Sequence, residues 1–288
     1  MTASAPVREP IVFDPPLDTA ADVYRRRLLV FEPDAEPGAD GPSGREPQAS
    51  EGVAVCDLED DFHHFVVTIR HDGHSVTATE AESYRWPWAT CPAAGESLHA
   101  LVGMPLAPRF TATGSFADPH WNCTHQFDAA SLAITHAWGR VAGTRAQVRQ
   151  YDAEIGAHMK LGPDGVGRNR LWVDGVLALE WTIAVGRGIV EPEPPFDGAP
   201  WRGGFMRWAD STLEPEAAER AIVLRRVCDI GHGRGMALDD VPVASDLLAI
   251  QNGVCYTMQP EIAINGSRHV GSIRDFASDP DQLCAGTD

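Results

Sequence analysis

Phe62-His63-His64-Phe65-Val66-Val67-Thr68-Ile69-Arg70 runs into His71-Asp72-Gly73-His74 and then Ser75 to Ala81. The first run is apolar and β-branched, so it reads as a strand. Asp72-Gly73 suits positive φ and marks a hairpin turn, which makes Ser75 to Ala81 the antiparallel return strand. Val53 to Leu58 reads as the strand before it, and Val23 to Phe31 as a first strand.

Two helices are expected next. Pro92 to Val102 places Leu98, Leu101 and Val102 on one face, and Gly103 ends it. Cys123 to Trp138 is the clearer one, with Phe127, Ala130, Ile134 and Trp138 at helical spacing. The order then recurs. Val148 to Ile155 reads as a strand, Leu171 to Val173 and Val176 to Val185 as a hairpin around Asp174-Gly175, and Leu213 to Cys228 as a helix. The expected fold is α+β, an antiparallel sheet with helices packed on one side and two similar halves. The boundaries are an N-terminal arm with a mobile Pro/Gly/Asp-rich loop (1–52), a Cys/His-containing half (53–145) and a second half with a polar C-terminal segment (146–288). The acidic stretch from Asp279 to Asp288 is expected to fray.

Composition removes several function classes. The net charge of −18 opposes nucleic acid and anionic membranes as partners. No apolar run reaches the roughly 18 residues of a membrane span, and the first ten residues do not read as a secretory signal. The expectation is a cytoplasmic protein with six reduced cysteines and no CxxC pair. Of 23 basic side chains, all but Lys160 are arginine. A P-loop is therefore absent, and Schiff-base or pyridoxal chemistry would have to use Lys160 in a glycine-flanked, polar stretch. There is no G-x-S-x-G elbow and no H-E-x-x-H helix. Gly231-His232-Gly233-Arg234-Gly235 lacks dinucleotide spacing and reads as a helix stop.

The chemistry gathers in His120-Trp121-Asn122-Cys123-Thr124-His125-Gln126-Phe127-Asp128. His120 and His125 are acid–base candidates, and Asp128 lies one turn on to orient His125. Tyr256 is a further proton donor. Trp86, Trp88, Trp121 and Trp201 are expected to wall a pocket for a flat apolar ligand, with Arg274 as its carboxylate anchor. Cys91, Cys123 and His125, with His64 or its neighbour His63, have the ligand types of a zinc site. Strand alternation sends His63 and His64 to opposite faces and leaves open which points inward. A Cys91–Cys123 disulfide, and a catalytic thiolate at Cys123 with His120 or His125 as base, are the other readings of the thiols.

Phe62 to Ala137 resembles the bacterial domain of unknown function 2889 family. The resemblance rests on His64 before Val66-Val67-Thr68-Ile69, on Asp72-Gly73, on Ala78 to Glu82, and on Pro87 with Cys91-Pro92-Ala93. It continues through Leu101-Val102-Gly103 and Cys123-Thr124-His125, where Gln126 replaces the family's leucine. It implies an association with bacterial catabolism of aromatic or steroid-like skeletons and names no reaction. A fold-level similarity to NifU/IscU-type scaffolds, in which cysteines open helices after a hairpin, implies that Cys91 and Cys123 face each other. The expected function is an enzyme without an organic cofactor, a lyase, hydratase or isomerase acting on a hydrophobic aromatic or polycyclic molecule. The alternative is a zinc-binding scaffold or a zinc-assisted hydrolase. A homo-oligomer is compatible with the apolar and tryptophan content.

Overall fold

The computed structural model describes residues 23–33, 51–156, 166–184 and 186–285. The arm before residue 23, most of the 32–52 loop and Lys160 lie outside the described residues.

Eight antiparallel strands form one sheet in the order β4-β3-β2-β1-β5-β6-β7-β8. They are β1 (Tyr24–Phe31), β2 (Gly52–Asp60), β3 (His64–His71), β4 (Val76–Arg85), β5 (Val148–Ile155), β6 (Val166–Val173), β7 (Val176–Ala184) and β8 (Gly188–Ile189). Each of the two hairpins expected from Asp-Gly is present. At the first, Gly73 takes φ +85°, and the Asp72 carboxylate accepts the amides of His74 at 2.9 Å and Ser75 at 2.8 Å. At the second, Asp174 and Gly175 both take positive φ, the geometry of a tight two-residue turn. β1 pairs with both β2 and β5, so a strand upstream of residue 53 supplies the centre of the sheet and joins its two wings.

The helices cover one face, so the chain has the α+β architecture. α1 (Thr124–Val141) lies across β1, β2 and β3, and α3 (Pro215–Gly231) lies mainly across β5, β6 and β7. Between them in sequence is α2 (Phe205–Thr212), a short helix in a stretch where no helix is expected from the sequence. Two one-turn helices follow, α4 (Leu248–Gln251) and α5 (Pro260–Ala263).

Helical spacing marks one apolar stripe on α1, and His125, Gln126, Asp128, Ser131, Thr135 and His136 are buried along with it. The helix is covered on one side by the sheet and on another by the 3-10 turn Phe110–Ser115, and side chains of α3 reach it. Two of its hydroxyls find partners on neighbouring elements. The Ser131 hydroxyl meets that of Thr113 at 2.7 Å, and Thr135 donates to Glu219 of α3 at 2.8 Å. Arg145 forks onto both oxygens of Glu219, and the Tyr151 hydroxyl of β5 donates to it as well. One buried carboxylate thus ties α1, α3 and β5 together.

The segment from Cys91 to Leu101 is a 3-10 helix that buries Leu98 and Leu101, with Val102 left exposed and Gly103 ending it at φ +88°. The chain near its C-terminus does not fray within the described residues. It returns to the open face of the sheet, where Leu283 is buried, its carbonyl accepts from Arg27, and the Cys284 amide donates to Glu59. Side chains of β1 and β2 thus hold this end by its backbone groups.

Candidate functional site

Asp60 ends β2 and starts a sharp turn into β3. Its Oδ1 accepts the amides of Phe62 and His63, each at 2.8 Å, as an Asp at the head of such a turn does. Arg85 locks the turn from behind, donating to the carbonyls of Asp61 at 2.9 Å and His63 at 3.2 Å. The same Oδ1 lies 3.0 Å from His63 Nδ1. The other oxygen, Oδ2, accepts from Tyr24 Oη at 2.6 Å and from Arg26 Nη2 at 2.7 Å. Tyr24 and Arg26 are neighbours on one face of β1, since they lie two residues apart on a strand.

α1 brings His125 to this carboxylate. Its Nε2 is 3.4 Å from Asp60 Oδ2, and its ring stacks on that of His63 with centroids 3.6 Å apart. Its other nitrogen, Nδ1, is 4.0 Å from Cys123 Sγ. Burial alone would raise the Asp60 carboxyl, but His63, Arg26 and the hydrogen bonds it accepts hold it well below the usual carboxylate range. Burial lowers His63, and it pushes His125 down to about 3. At neutral pH the arrangement is an aspartate anion between two neutral imidazoles. Because Asp60 is an anion, His63 Nδ1 carries the hydrogen and Nε2 keeps its lone pair.

A cavity of about 600 Å³ opens onto His63 and His125. Its walls come from the β2–β3 turn, the Pro87 to Cys91 loop, the start of α1, the end of α3 and the segment from Met236 to Met258. Cross-links fix this last segment over the site. Tyr256 N donates to Asn122 O at 2.9 Å, and Gln259 Nε2 donates to His120 O at 2.7 Å. The lining is mostly apolar, and three of the chain's six cysteines and two of its six methionines face it: Cys91, Cys123, Cys255, Met236 and Met258. Burial pushes the Cys91 thiol up to about 12 and raises Cys123 well above the ordinary thiol range, so both are protonated in the resting protein.

The structure brings together His125, Cys91, Cys123, Trp88 and, at the rim, His120. The other expected residues lie elsewhere. Asp128 does not orient His125; it faces Arg226 of α3, whose Nε is 3.4 Å away, and Asp60 takes the orienting place. His64 is not a partner of the two cysteines. It starts β3 pointing to the opposite face, where its Nε2 meets Asp57 at 3.0 Å, and His63 is the inward member of the pair. Trp86 packs beside His269, Trp121 is 44% exposed, and Trp201 sits in a separate aromatic cluster under Arg225. Tyr256 is half-buried next to the wall without lining the cavity. Arg274 donates to the Gly271 and Ile273 carbonyls, so it is not positioned as an anchor; the arginine on the cavity is Arg226.

Tyr24, Arg26, Asp60 and Arg226 were not foreseen. One local signal pointed to Asp60: an aspartate three residues before His63, at a strand end.

Asp60, His63 and His125 each offer a ligand atom, all within 4.8 Å of one another, the chemistry of a two-histidine, one-carboxylate metal centre. Two features compete with it. Both Asp60 oxygens already accept from other groups. The two imidazole planes are only 27° apart and stacked, so their lone pairs converge on a common ion only after a ring turns.

No family model, no curated protein and no solved structure matches this chain. Among the described residues, no helix is long and apolar enough to cross a membrane.

Proposed function

We propose that the protein is an enzyme without an organic cofactor, a lyase, hydratase or isomerase that moves a proton on a hydrophobic aromatic or polycyclic small molecule. His63 Nε2 is the base, His125 is the second acid–base group, and Asp60 orients both. The observation that carries the reading is the His63–Asp60 pair at 3.0 Å on the wall of a mostly apolar cavity. A neutral imidazole held in one tautomer is competent to take a proton near neutral pH, and an apolar surround strengthens the interactions of each charge that forms. The resemblance over residues 62–137 supports a place in bacterial catabolism of aromatic skeletons, and the reduced thiols suit the cytoplasm.

The test is hydrogen exchange in deuterium oxide, followed by proton NMR on a panel of aryl and alicyclic ketones. At least one member loses its α-hydrogen signal much faster than in buffer alone. Uniform silence across the panel overturns the reading.

The second reading, a zinc-assisted hydrolase or zinc-holding scaffold, is favoured by the closeness of Asp60, His63 and His125. Elemental analysis separates the two. About one zinc per chain, lost in both His63→Ala and His125→Ala, selects the metal reading. Metal far below that ratio selects the acid–base one.

A further inference from the structure

Three thiols face the cavity, and one of them differs from the rest. Cys123 is the N-cap of α1, an 18-residue helix. The first-turn amides of His125 and Gln126 face its sulfur, so a negative charge there would meet the positive end of the helix. Its Sγ lies 4.0 Å from His125 Nδ1, while the far nitrogen of that ring lies 3.4 Å from Asp60 Oδ2. The order thiol, imidazole, carboxylate is that of an activated nucleophile with its base and the base's orienter. His125 Nε2 is buried 3.4 Å from Asp60 Oδ2, so the charge that forms on the ring lies beside a carboxylate.

Cys91 and Cys255 lack such a base. The Cys91 sulfur accepts from the Thr257 hydroxyl at 3.5 Å, and the backbone amides of Thr257 and Met258 face the Cys255 sulfur.

We propose that Cys123 is a nucleophile, activated by His125 with Asp60 as the positioning residue, that adds to a carbon–carbon double bond conjugated to a carbonyl. His125 Nδ1 takes the thiol proton as sulfur bonds to the β-carbon. The π pair moves to the carbonyl oxygen as an enolate. The imidazolium then returns the proton to the α-carbon, so the sum is addition of S–H across C=C with no oxidant or reductant. The reverse sequence releases the ligand. The proton crosses from sulfur to His125 Nδ1, 4.0 Å away at rest, as the bond forms. This step goes beyond the acid–base reading, although it shares the cavity and His125 with it.

The experiment uses the full-length protein in the presence of EDTA and a limiting amount of N-ethylmaleimide, itself a conjugated carbonyl electrophile. Labelling of each cysteine is followed by peptide mass spectrometry. Cys91 and Cys255 serve as controls, since they line the same cavity. Cys123 is expected to label at least about tenfold faster than either, and His125→Gln is expected to bring it down to their rate. Circular dichroism checks that the variant is folded; if it is not, the wild-type ranking alone decides. Labelling of Cys123 no faster than its neighbours overturns the proposal, and so does a folded His125→Gln protein with unchanged labelling. Solvent exchange without selective labelling removes this inference and leaves the acid–base reading standing. Selective labelling without solvent exchange does the opposite.

Discussion

His63→Gln lowers the rate of solvent hydrogen exchange by about 10²–10⁴-fold while the protein stays folded. Glutamine keeps a polar group that can still donate to Asp60 Oδ1, so the β2–β3 turn survives through the backbone bonds to Asp60 and Arg85. What it lacks is the lone pair of His63 Nε2 with a proton affinity in the useful range. The loss appears in turnover and leaves the Michaelis constant nearly unchanged, because a proton-transfer group acts in the transition state. The pH profile carries the same signature. Burial lowers His63 from its ordinary 6.5, so its base form persists into mildly acidic solution. The acid limb of the wild-type rate is therefore centred below pH 6.5. A limb centred above 6.5, or a His63→Gln protein within threefold or so of wild-type turnover, removes His63 from the role.

Local chemistry was legible in the sequence, and convergence was not. Asp72-Gly73 and Asp174-Gly175 gave both hairpins because a tight turn has few solutions, all set by adjacent residues. The helical spacing of Phe127, Ala130, Ile134 and Trp138 gave α1 for the same reason. The site was half visible. Cys123 and His125 stand out because they are neighbours, and Cys91 because it opens a helix. Asp60 lies 65 positions before His125, and Tyr24 and Arg26 lie on a strand whose pairing with β2 spans a long insertion. Nothing local joins them. Helical spacing places Asp128 one turn from His125, as an orienter would be, but cannot say that α3 brings Arg226 to meet it. The inward histidine was undecidable for a related reason. Alternation fixes only that His63 and His64 diverge, and the turn bonds of Asp60 decide which one faces the helix.

Asp60→Asn is expected to cost about 3–5 kcal/mol of folding stability, a large part of the roughly 5–15 kcal/mol that holds a typical domain. Arg26 is 1% exposed and pairs with Asp60 Oδ2, so the variant strands a buried cation. The amide makes this worse. Each Asp60 oxygen accepts from at least two donors, so whichever position the NH₂ takes, N–H faces N–H or O–H. Urea unfolding measures the loss, and a double-mutant cycle with Arg26→Met assigns it. The pair Arg26→Met/Asp60→Asn falls short of the summed single losses by about 2 kcal/mol or more, since removing the cation removes most of the penalty. Acid titration gives the sign independently. Asp60 is held below its ordinary 3.8, so the unfolded chain binds the proton first as pH falls. Its contribution is whole above 3.8 and declines below it, and the Asn variant lacks that decline. A loss under about 1 kcal/mol, or strict additivity with Arg26→Met, would show that the carboxylate does not anchor the site. With the anchor gone, neither His63 nor His125 has a fixed tautomer, so the same variant also loses solvent exchange. That coupling of stability to chemistry through one carboxylate separates an Asp60-centred site from one in which Asp60 is only a turn former.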